Sequence, residues 1–321
     1  MNRRTFVAAL MAGAFAVAAL PAITAVSSPA VAADKVKIAV VLKTLSSQYW
    51  KIVAAGAQAA AEKNNVDLIV LGPPTEDAVE QQINMVQDVL AQKPDALIFS
   101  PSQPGTAVNI LTKVRAAGIP VLLVDTGMPE AFTDYSTFIG TDNVAAGKAG
   151  GEALAKLLKS GDKVLLLDGA PGNPSMTDRC DGAKEVLEAA GLVIGARQPA
   201  YSDREKAYTV TQNVLQSTPD IAGVFAGNDE EALGALRALK QAGKEVPVLG
   251  VDANADNLKA ILAGDLYGSI AQGNYDMGRL GVEKALEVIA GKTIEKRIDS
   301  GATLITKDNA QELLDFRASI K

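Results

Sequence analysis

The sequence predicts an α/β fold made of two similar lobes, each a parallel sheet with helices on both faces. Short apolar runs alternate with amphipathic windows, which is the pattern of parallel strands joined by crossover helices. A long stretch of this pattern occurs twice, and 321 residues are enough for two domains of ordinary size. Repeats of this length favour two copies of one unit over a solenoid, whose units are shorter.

Seven apolar runs have the length and composition of buried parallel strands. They are Val36–Leu42, Leu68–Leu71, Ala96–Phe99, Val121–Val124, Val164–Leu167, Gly223–Ala226 and Val248–Val251. The amphipathic windows between them predict helices. These windows include Ile52–Lys63, Val79–Ala91, Ala107–Ala117, Ala145–Leu158, Ala183–Ala190, Ala207–Gln216 and Ala232–Ala242. Gly118, Gly191 and Gly243 follow such windows and predict helix ends.

An internal repeat relates residues 87–125 to residues 212–252. Each copy contains a helical segment, a Pro-Asp pair, a strand, a helix and a second strand that ends in aspartate. The offset is 125 residues at the start, from 87 to 212, and 127 at the end, from 125 to 252. Loop changes account for so small a drift. The repeat therefore predicts that Asp125 and Asp252 occupy equivalent places in the two lobes.

Polar side chains follow the predicted strands of both lobes. Open parallel sheets bind ligands beyond the carboxyl ends of their strands, so residues just after each strand are the candidates. They are Lys43, Ser100 and Asp125 in the first lobe and Asn228, Asp229 and Asp252 in the second. Carboxylates accept hydrogen bonds, ammonium groups donate them and amides do both, so this set suits the hydroxyl groups of a sugar or polyol. Two other interpretations of the aspartates stay open: an acid/base pair, and strand-end solvation or helix capping.

Two aromatic residues, Tyr49 and Trp50, follow the first predicted strand closely. The chain is poor in aromatic residues and has a single Trp, so their position near the strand end is informative. An aromatic face near these strand ends would stack on the C–H face of a sugar ring and exclude water. The alternative is that both rings pack in the core under the first helix.

Composition and missing motifs argue against most enzyme and nucleic-acid functions. The chain has no His, and its net charge is −6 without basic clusters. Its one cysteine, Cys180, has no His to activate it, so we expect a buried thiol. The turn after the first strand, Lys43–Ser47, has no glycine, and neither a phosphate-binding loop nor a nucleophile elbow is present. We therefore expect no catalytic activity, no metal, no cofactor and no nucleic-acid partner.

The N-terminal segment has the composition of a cleaved signal peptide. Arg3 and Arg4 precede a long apolar, Ala-rich run, and Ala30–Ala33 supplies small residues for cleavage. Residues 1–33 are therefore predicted to be removed, which places the mature protein in the periplasm. The arginine pair fits a twin-arginine signal and also an ordinary basic start, so the export route stays undecided.

Several segments of the mature chain, in order along its whole length, resemble the periplasmic sugar-binding proteins of ABC importers, and among them the ribose- and D-allose-binding proteins. They are Lys43–Trp50, Gly140–Asn143, Gln198–Arg204, Gly227–Glu230 and Ile270–Gln272. The resemblance implies the type I periplasmic binding protein fold, in which two Rossmann-like lobes are joined by a three-segment hinge. It also implies a monosaccharide or sugar alcohol as ligand, bound between the lobes and delivered to a membrane permease.

The resemblance implies a set of ligand contacts in this chain. They are Lys43, Ser47, Tyr49, Trp50, Ser100, Asp125, Thr141, Arg179, Asn228, Asp252 and Gln272. Two positions depart from the ribose-binding pattern: Thr126 stands where that pattern has Arg, and Ser202, beside Tyr201, stands where it has an aromatic ring. These departures count against ribose and leave allose, another hexose, a ketose or a polyol open.

The resemblance also implies lobes that are discontinuous in sequence. The N-terminal lobe would comprise residues 34–141 and 273–300, and the C-terminal lobe residues 142–272 and 301–321. The segment Asn309–Ile320 is predicted to form an extra helix on a lobe surface. We expect a monomer, with the permease as its protein partner. A sugar or autoinducer receptor for chemotaxis or signalling, with a chemoreceptor as partner, is the alternative function.

Overall fold

The computed structural model describes residues 35–319, so the predicted signal peptide and its export route lie outside the described part. The strands are β1 Lys37–Val41, β2 Asp67–Leu71, β3 Ala96–Phe99, β4 Val121–Val124, β5 Thr137–Gly140, β6 Lys163–Asp168, β7 Val193–Pro199, β8 Ile221–Ala226, β9 Val248–Asp252, β10 Gly268–Gln272, β11 Arg297–Asp299 and β12 Ala302–Ile305. The helices are α1 Gln48–Lys63, α2 Val79–Ala91, α3 Pro104–Ala116, α4 Asn143–Ala155, α5 Pro174–Ala189, α6 Arg204–Ser217, α7 Asp229–Gln241, α8 Ala255–Ala263, α9 Asn274–Ile289 and α10 Ala310–Ser319.

The strands form two six-stranded sheets with matching orders. The first sheet runs β11-β5-β4-β3-β1-β2 and the second runs β12-β10-β9-β8-β6-β7. All pairs in the first sheet are parallel, and the second differs only in its edge strand β12, which pairs antiparallel with β10. The predicted two-lobed α/β fold is thus confirmed, and each lobe is built around one sheet.

Each sheet is buried on both faces by helices. Along β1, Ile38 and Val40 belong to the apolar cluster on one face, and Ala39 and Val41 belong to the cluster on the other. Because both alternate sets are buried, the strand is apolar throughout, as expected for a parallel strand between two helix layers. The second sheet has the same two-sided arrangement.

The chain crosses between the lobes three times. It crosses between β5 and α4, between β10 and α9, and between β11 and β12, since each pair has its members in different lobes. Helix α9 therefore packs on α1 and the first sheet, whereas α4 packs on α5 and the second sheet. These three crossovers correspond to the three-segment hinge that the family resemblance implied.

Close helix packing explains two glycines in these crossover helices. A Cβ on Gly278 of α9 would come within 1.8 Å of the carbonyl oxygen of Val53 on α1. A Cβ on Gly147 of α4 would come within 2.0 Å of the carbonyl oxygen of Arg179 on α5. Each lobe thus uses a glycine to bring its crossover helix against the first helix of its own βα series.

All seven predicted strands and the predicted helices are present, whereas five strands and two helices were not predicted. The unpredicted strands are β5, β7, β10, β11 and β12, and the unpredicted helices are α8 and α9. Gly118, Gly191 and Gly243 all have positive φ just after a helix, as predicted. Within residues 35–319, no helix is long and apolar enough to cross a membrane.

Candidate ligand-binding cleft

The two aspartates of the repeat both have positive φ, although at different values. Asp125 follows β4 with φ 62°, and Asp252 ends β9 with φ 119°. Residues other than glycine rarely adopt positive φ, and such strain clusters at functional sites. The strain turns the chain sharply at the end of each central strand. Both carboxylates thereby lie at the interface of the lobes, where they line one cavity.

This cavity lies between the lobes and is lined almost entirely by polar side chains. Its lining residues are Lys43, Tyr49, Trp50, Glu76 and Asp125 of the first lobe and Asn173, Ser175, Met176, Arg179, Ser202, Asn228 and Asp252 of the second. Its volume is about 20 Å³, which is room for about one water molecule. The lobes are therefore closed on each other, and a sugar-sized ligand requires them to separate or their side chains to move.

Lys43 and Asp125 are the charged pair that the first lobe contributes. The Nζ atom of Lys43 lies 3.3 Å from Oδ2 of Asp125, and both side chains are buried. Tyr49 donates a hydrogen bond of 2.8 Å to Oδ1 of the same carboxylate, and Thr126 donates one of 2.7 Å to Oδ2. The carboxylate is thus held by a cation and two hydroxyl groups, which fix its orientation toward the cavity.

Arg179 and Asp252 are the corresponding pair of the second lobe. The Nη1 atom of Arg179 lies 3.8 Å from Oδ1 of Asp252, which also accepts a 2.7 Å hydrogen bond from Nε2 of Gln272. The guanidinium is held in turn by Asn143, which accepts from Nε at 2.8 Å, and by the carbonyl of Gly227 at 3.0 Å. Both lobes therefore present one carboxylate and one cation to the same space.

Direct contacts join the lobes across this space. Lys43 reaches over to Asn173 and Ser175, donating hydrogen bonds of 3.2 Å to each. The hydroxyl of Thr126 lies 2.8 Å from that of Ser175. Because Lys43 and Thr126 sit at strand ends of the first lobe and Asn173 and Ser175 in the second, opening the cleft breaks these bonds. A ligand between the lobes would have to replace them.

Buried charges give the two aspartates opposite pKa shifts. Burial alone raises the pKa of Asp125, but Lys43 and Arg179 outweigh it and, with the Thr126 and Tyr49 hydrogen bonds, hold that pKa below its usual value. Burial raises the pKa of Asp252 to about 7, against the opposing effects of Arg179 and the Gln272 hydrogen bond. Asp125 is therefore a permanent anion at neutral pH, whereas Asp252 exchanges a proton near neutrality.

Two further carboxyls lie behind the second-lobe wall on helix α7. Asp229 and Glu231 are fully buried. Burial, and next the charge of Asp252, raise the pKa of Asp229 well above its usual value. Burial also raises the pKa of Glu231 to about 8, although the amide of Ser202 donates to its Oε1 at 2.9 Å. The second lobe thus carries more buried acid groups than its nearby cations neutralise.

The aromatic residues of the cavity come from the first lobe. Tyr49 and Trp50 are edge-to-face with ring centroids 4.9 Å apart, and the indole Nε1 donates to Glu76 at 2.6 Å. In the second lobe Tyr201 does not line the cavity, and its ring lies under Nζ of Lys206 at 4.5 Å. Met176 is the apolar side chain that the second lobe contributes instead. Any ring stacking on the ligand must therefore come from Trp50 or Tyr49.

Seven of the eleven predicted contacts line the cavity, and four do not. The hydroxyl of Thr141 forms hydrogen bonds with Ser300 and Gly301 in the hinge. Gln272 donates a hydrogen bond to Asp252 and so orients its carboxylate. Ser100 is completely buried and does not line the cavity, and Ser47 is the N-cap residue of α1 and lines a neighbouring pocket of about 60 Å³. In this structure these four lie behind or beside the cavity, and their contacts with a ligand stay predictions.

Several lining residues were not predicted. Glu76 follows β2, and Asn173, Ser175 and Met176 follow β6, so they obey the same strand-end rule that pointed to Lys43. Extending the rule to these two strands would have found them. Ser202 was noted only as a departure from a family pattern, and it lies in the cavity wall.

A larger pocket, of about 850 Å³, lies elsewhere on the second lobe. It is lined by residues that precede β9 and β10, such as Val246 and Tyr267, and is therefore at the amino ends of the strands. Two of its charged residues, Lys240 and Asp265, form an exposed ion pair with each other. Ligands of open parallel sheets bind at the opposite edge, so this pocket is the weaker candidate. Within residues 35–319, no group of His, Cys, Asp and Glu side chains could hold a metal ion.

Comparisons with known proteins agree with this geometry. Residues 38–293 match the family described as periplasmic binding protein domain. The chain belongs to this family. A ribose import binding protein of Salmonella typhimurium is 36% identical over 283 residues, which are 88% of this chain and 94% of that protein.

Two more proteins to which this chain is similar are described with other sugars. The D-allose-binding periplasmic protein of Escherichia coli is 31% identical over 80% of this chain and 86% of its own length. The solved structure of an ABC transporter solute-binding protein from Agrobacterium vitis, with bound D-fucose, has a TM-score of 0.82 and 33% identity, covering 85% of this chain and 96% of that one. This periplasmic binding protein is thus similar to proteins for different sugars.

Proposed function

We propose that this protein is the solute-binding component of an ABC importer and clamps one monosaccharide or sugar alcohol between its lobes. The observation that supports this most strongly is the buried cavity to which both lobes bring a carboxylate and a cation. The relatives named for ribose and allose, and the structure with bound D-fucose, support a sugar as the ligand class. The protein would bind and release its ligand unchanged.

The chemistry of the cavity favours a neutral polyhydroxylated molecule. Lys43 and Arg179 donate hydrogen bonds, Asp125 and Asp252 accept them, and Asn228 does both, so neighbouring hydroxyl groups find both kinds of partner. Charge-assisted bonds of this kind are stronger than neutral ones. Ser202 in the cavity wall and Thr126, which bonds Asp125 beside it, are both small, so neither position brings a guanidinium or a ring to the cavity. A hexose, ketose or polyol fits that wall better than ribose.

The mechanism would be hinge closure. The ligand enters an open form, and its bonds to both lobes replace those of Lys43 to Asn173 and Ser175. Because the ligand contacts both lobes only when they are closed, it favours the closed form. We place the lobe boundaries at 34–141 with 273–300 and at 142–272 with 301–321. The closed form would then present surfaces of both lobes to the permease, from the periplasm and as a monomer.

A thermal-shift screen tests the proposal. D-ribose, D-allose, D-fucose and myo-inositol are added separately at the same concentration, about 1 mM. A tight ligand raises the melting temperature by mass action. Lys43→Met should abolish the shift, because it removes the buried donor and keeps the side-chain length. Lys163→Met, at an exposed ion pair with Asp220, is the matched control and should keep it. If no sugar or polyol shifts the wild type, the protein is not a receptor for this ligand class.

An uptake assay separates transport from signalling. A strain that lacks the protein should fail to take up the sugar that gives the thermal shift, and the restored protein should recover uptake. If uptake is normal while the response to a gradient of that sugar is lost, the receptor serves chemotaxis instead.

A further inference from the structure

Helix α10 lies at the surface of the second lobe and buries a charged side chain. In its ten residues only Ala310 and Arg317 are buried, and Arg317 is 9% exposed. Its neighbours Phe316 and Ala318 are exposed. A buried arginine is costly unless it is paired, so its position on a surface helix calls for a specific partner.

That partner is the backbone of the second-lobe aspartate. The Nη2 atom of Arg317 donates a 2.8 Å hydrogen bond to the carbonyl oxygen of Asp252. This is the residue whose φ of 119° turns its side chain into the cavity. The carboxyls of Asp229 on α7 and Asp252 on β9, with the hydroxyl of Tyr49 on α1, are the titratable groups that act on its charge. Arg317 therefore lies directly behind the ligand cavity and stabilises its strained turn.

The residue before Arg317 contacts the other lobe. Phe316 lies edge-to-face against Tyr275, with ring centroids 6.3 Å apart. Tyr275 is the second residue of α9, just after the chain has crossed from the second lobe to the first. Helix α10 itself packs on α8 of the second lobe. Helix α10 thus contacts Asp252 of its own lobe through Arg317. Through the adjacent Phe316 it contacts the other lobe beside the hinge.

We propose that α10 is a positioning element of the ligand site, in which Arg317 holds Asp252 in its binding conformation and the Phe316–Tyr275 contact links that position to lobe closure. The proposal rests on the proposed function, because it gives Asp252 its role in binding. It assigns to the C-terminal helix a part in recognition, where the sequence suggested only a surface addition.

The proposal predicts a loss of affinity that the conservative variant largely restores. Arg317→Ala removes the donor that fixes the Asp252 turn, and we expect binding to weaken by about tenfold or more, as for other charged hydrogen bonds. Arg317→Lys keeps a cation and a donor and should recover most of that loss. Phe316→Ala should weaken binding by about two- to tenfold, the range of aromatic pair energies. Glu312→Ala, on the exposed part of α10, is the matched control and should bind as the wild type does.

Isothermal titration calorimetry with D-ribose, D-allose and D-fucose measures these affinities, and a ligand-free measurement accompanies it. Raised pKa values leave Asp229 and Asp252 more protonated at pH 5 than at pH 8. Loss of Arg317 should therefore destabilise the ligand-free protein more at pH 8 than at pH 5, and Arg317→Lys should remove that difference. A role through the carbonyl hydrogen bond or through packing, without an effect of the charge, would lower the melting temperature equally at both pH values.

The two measurements separate failure of this proposal from failure of the proposed function. If the wild type binds a sugar and Arg317→Ala binds it equally well, the positioning role is wrong. If the wild type binds none of the three sugars, the sugar function is in error for them, and the pH comparison still decides whether Arg317 acts on the aspartates. An equal loss of stability in Arg317→Ala at pH 5 and pH 8 overturns the part assigned to its charge, and unchanged stability at both pH values overturns its hold on Asp252 altogether.

Discussion

Glu231→Gln should change the pH dependence of stability. Glu231 is fully buried, and burial raises its pKa in the folded protein to about 8 from an unfolded value of 4.5. A raised pKa means that the folded state holds the proton more tightly, so the stability this group contributes is present below pH 4.5 and is lost as the pH rises toward 8. With these two values, the wild type loses about 2.5 kcal/mol of stability between pH 5 and pH 7 through this group.

Glutamine does not titrate, so the variant should lack this loss. It keeps the oxygen that accepts from the amide of Ser202, but its second polar atom replaces Oε2, which has no partner among the described residues. That change costs about 1 to 3 kcal/mol of stability at every pH. The test is therefore how the free energy of unfolding changes with pH, not its value at any one pH. Urea unfolding of the ligand-free protein at pH 5, 6, 7 and 8 measures it. The exposed Glu130→Gln is the control. Parallel pH curves for wild type and Glu231→Gln would show that Glu231 does not hold its proton in the folded state.

Three further substitutions test the cleft, the packing and the closed form. Asp252→Ala should weaken sugar binding by about 2 kcal/mol or more, because ligand hydroxyl groups lose their acceptor in a dry cleft, and calorimetry that finds wild-type affinity would remove Asp252 from the site. Gly278→Val should lower the melting temperature strongly, because its Cβ meets the Val53 carbonyl at 1.8 Å, and an unchanged melting temperature would contradict the α1–α9 contact. Lys206→Ala breaks the half-exposed interlobe pair with Asp77, 2.9 Å long, and should cost the closed form at most about 1 kcal/mol. The distance between two spin labels across the cleft should then increase slightly, as the open form becomes more populated. A large increase would show that this pair contributes more than about 1 kcal/mol to closure.

The central strands and the cleft aspartates could be predicted from the sequence because their physical signals are local. Buried parallel strands are apolar throughout, and β3 and β4 were located to the residue for that reason. The repeat placed Asp125 and Asp252 in equivalent positions, and the structure adds that both have positive φ. Arg179 came from a family resemblance alone, since nothing local marks an arginine in the first half of a helix as a cleft residue.

The elements that were missed depend on contacts between distant parts of the chain. β10 contains Gly268 and Ser269, and β11 has only three residues, so neither has the apolar run of a buried strand. The helix at the C-terminus was predicted, but the burial of Arg317 against Asp252, 65 residues earlier, leaves no periodic signal. The strand-end rule applied to β2 would have found Glu76, but its hydrogen bond from Trp50 could not be predicted, because folding brings the two residues together.

Small-angle X-ray scattering with and without ligand tests the clamp most directly. The sugar or polyol that gives the largest thermal shift is added in excess to the purified protein, and the radius of gyration is compared with that of the ligand-free protein and of Lys43→Met under the same conditions. The clamp predicts that the wild type becomes more compact with ligand and that the variant does not. A tight ligand that leaves the radius of gyration of the wild type unchanged would contradict ligand-driven closure of the two lobes.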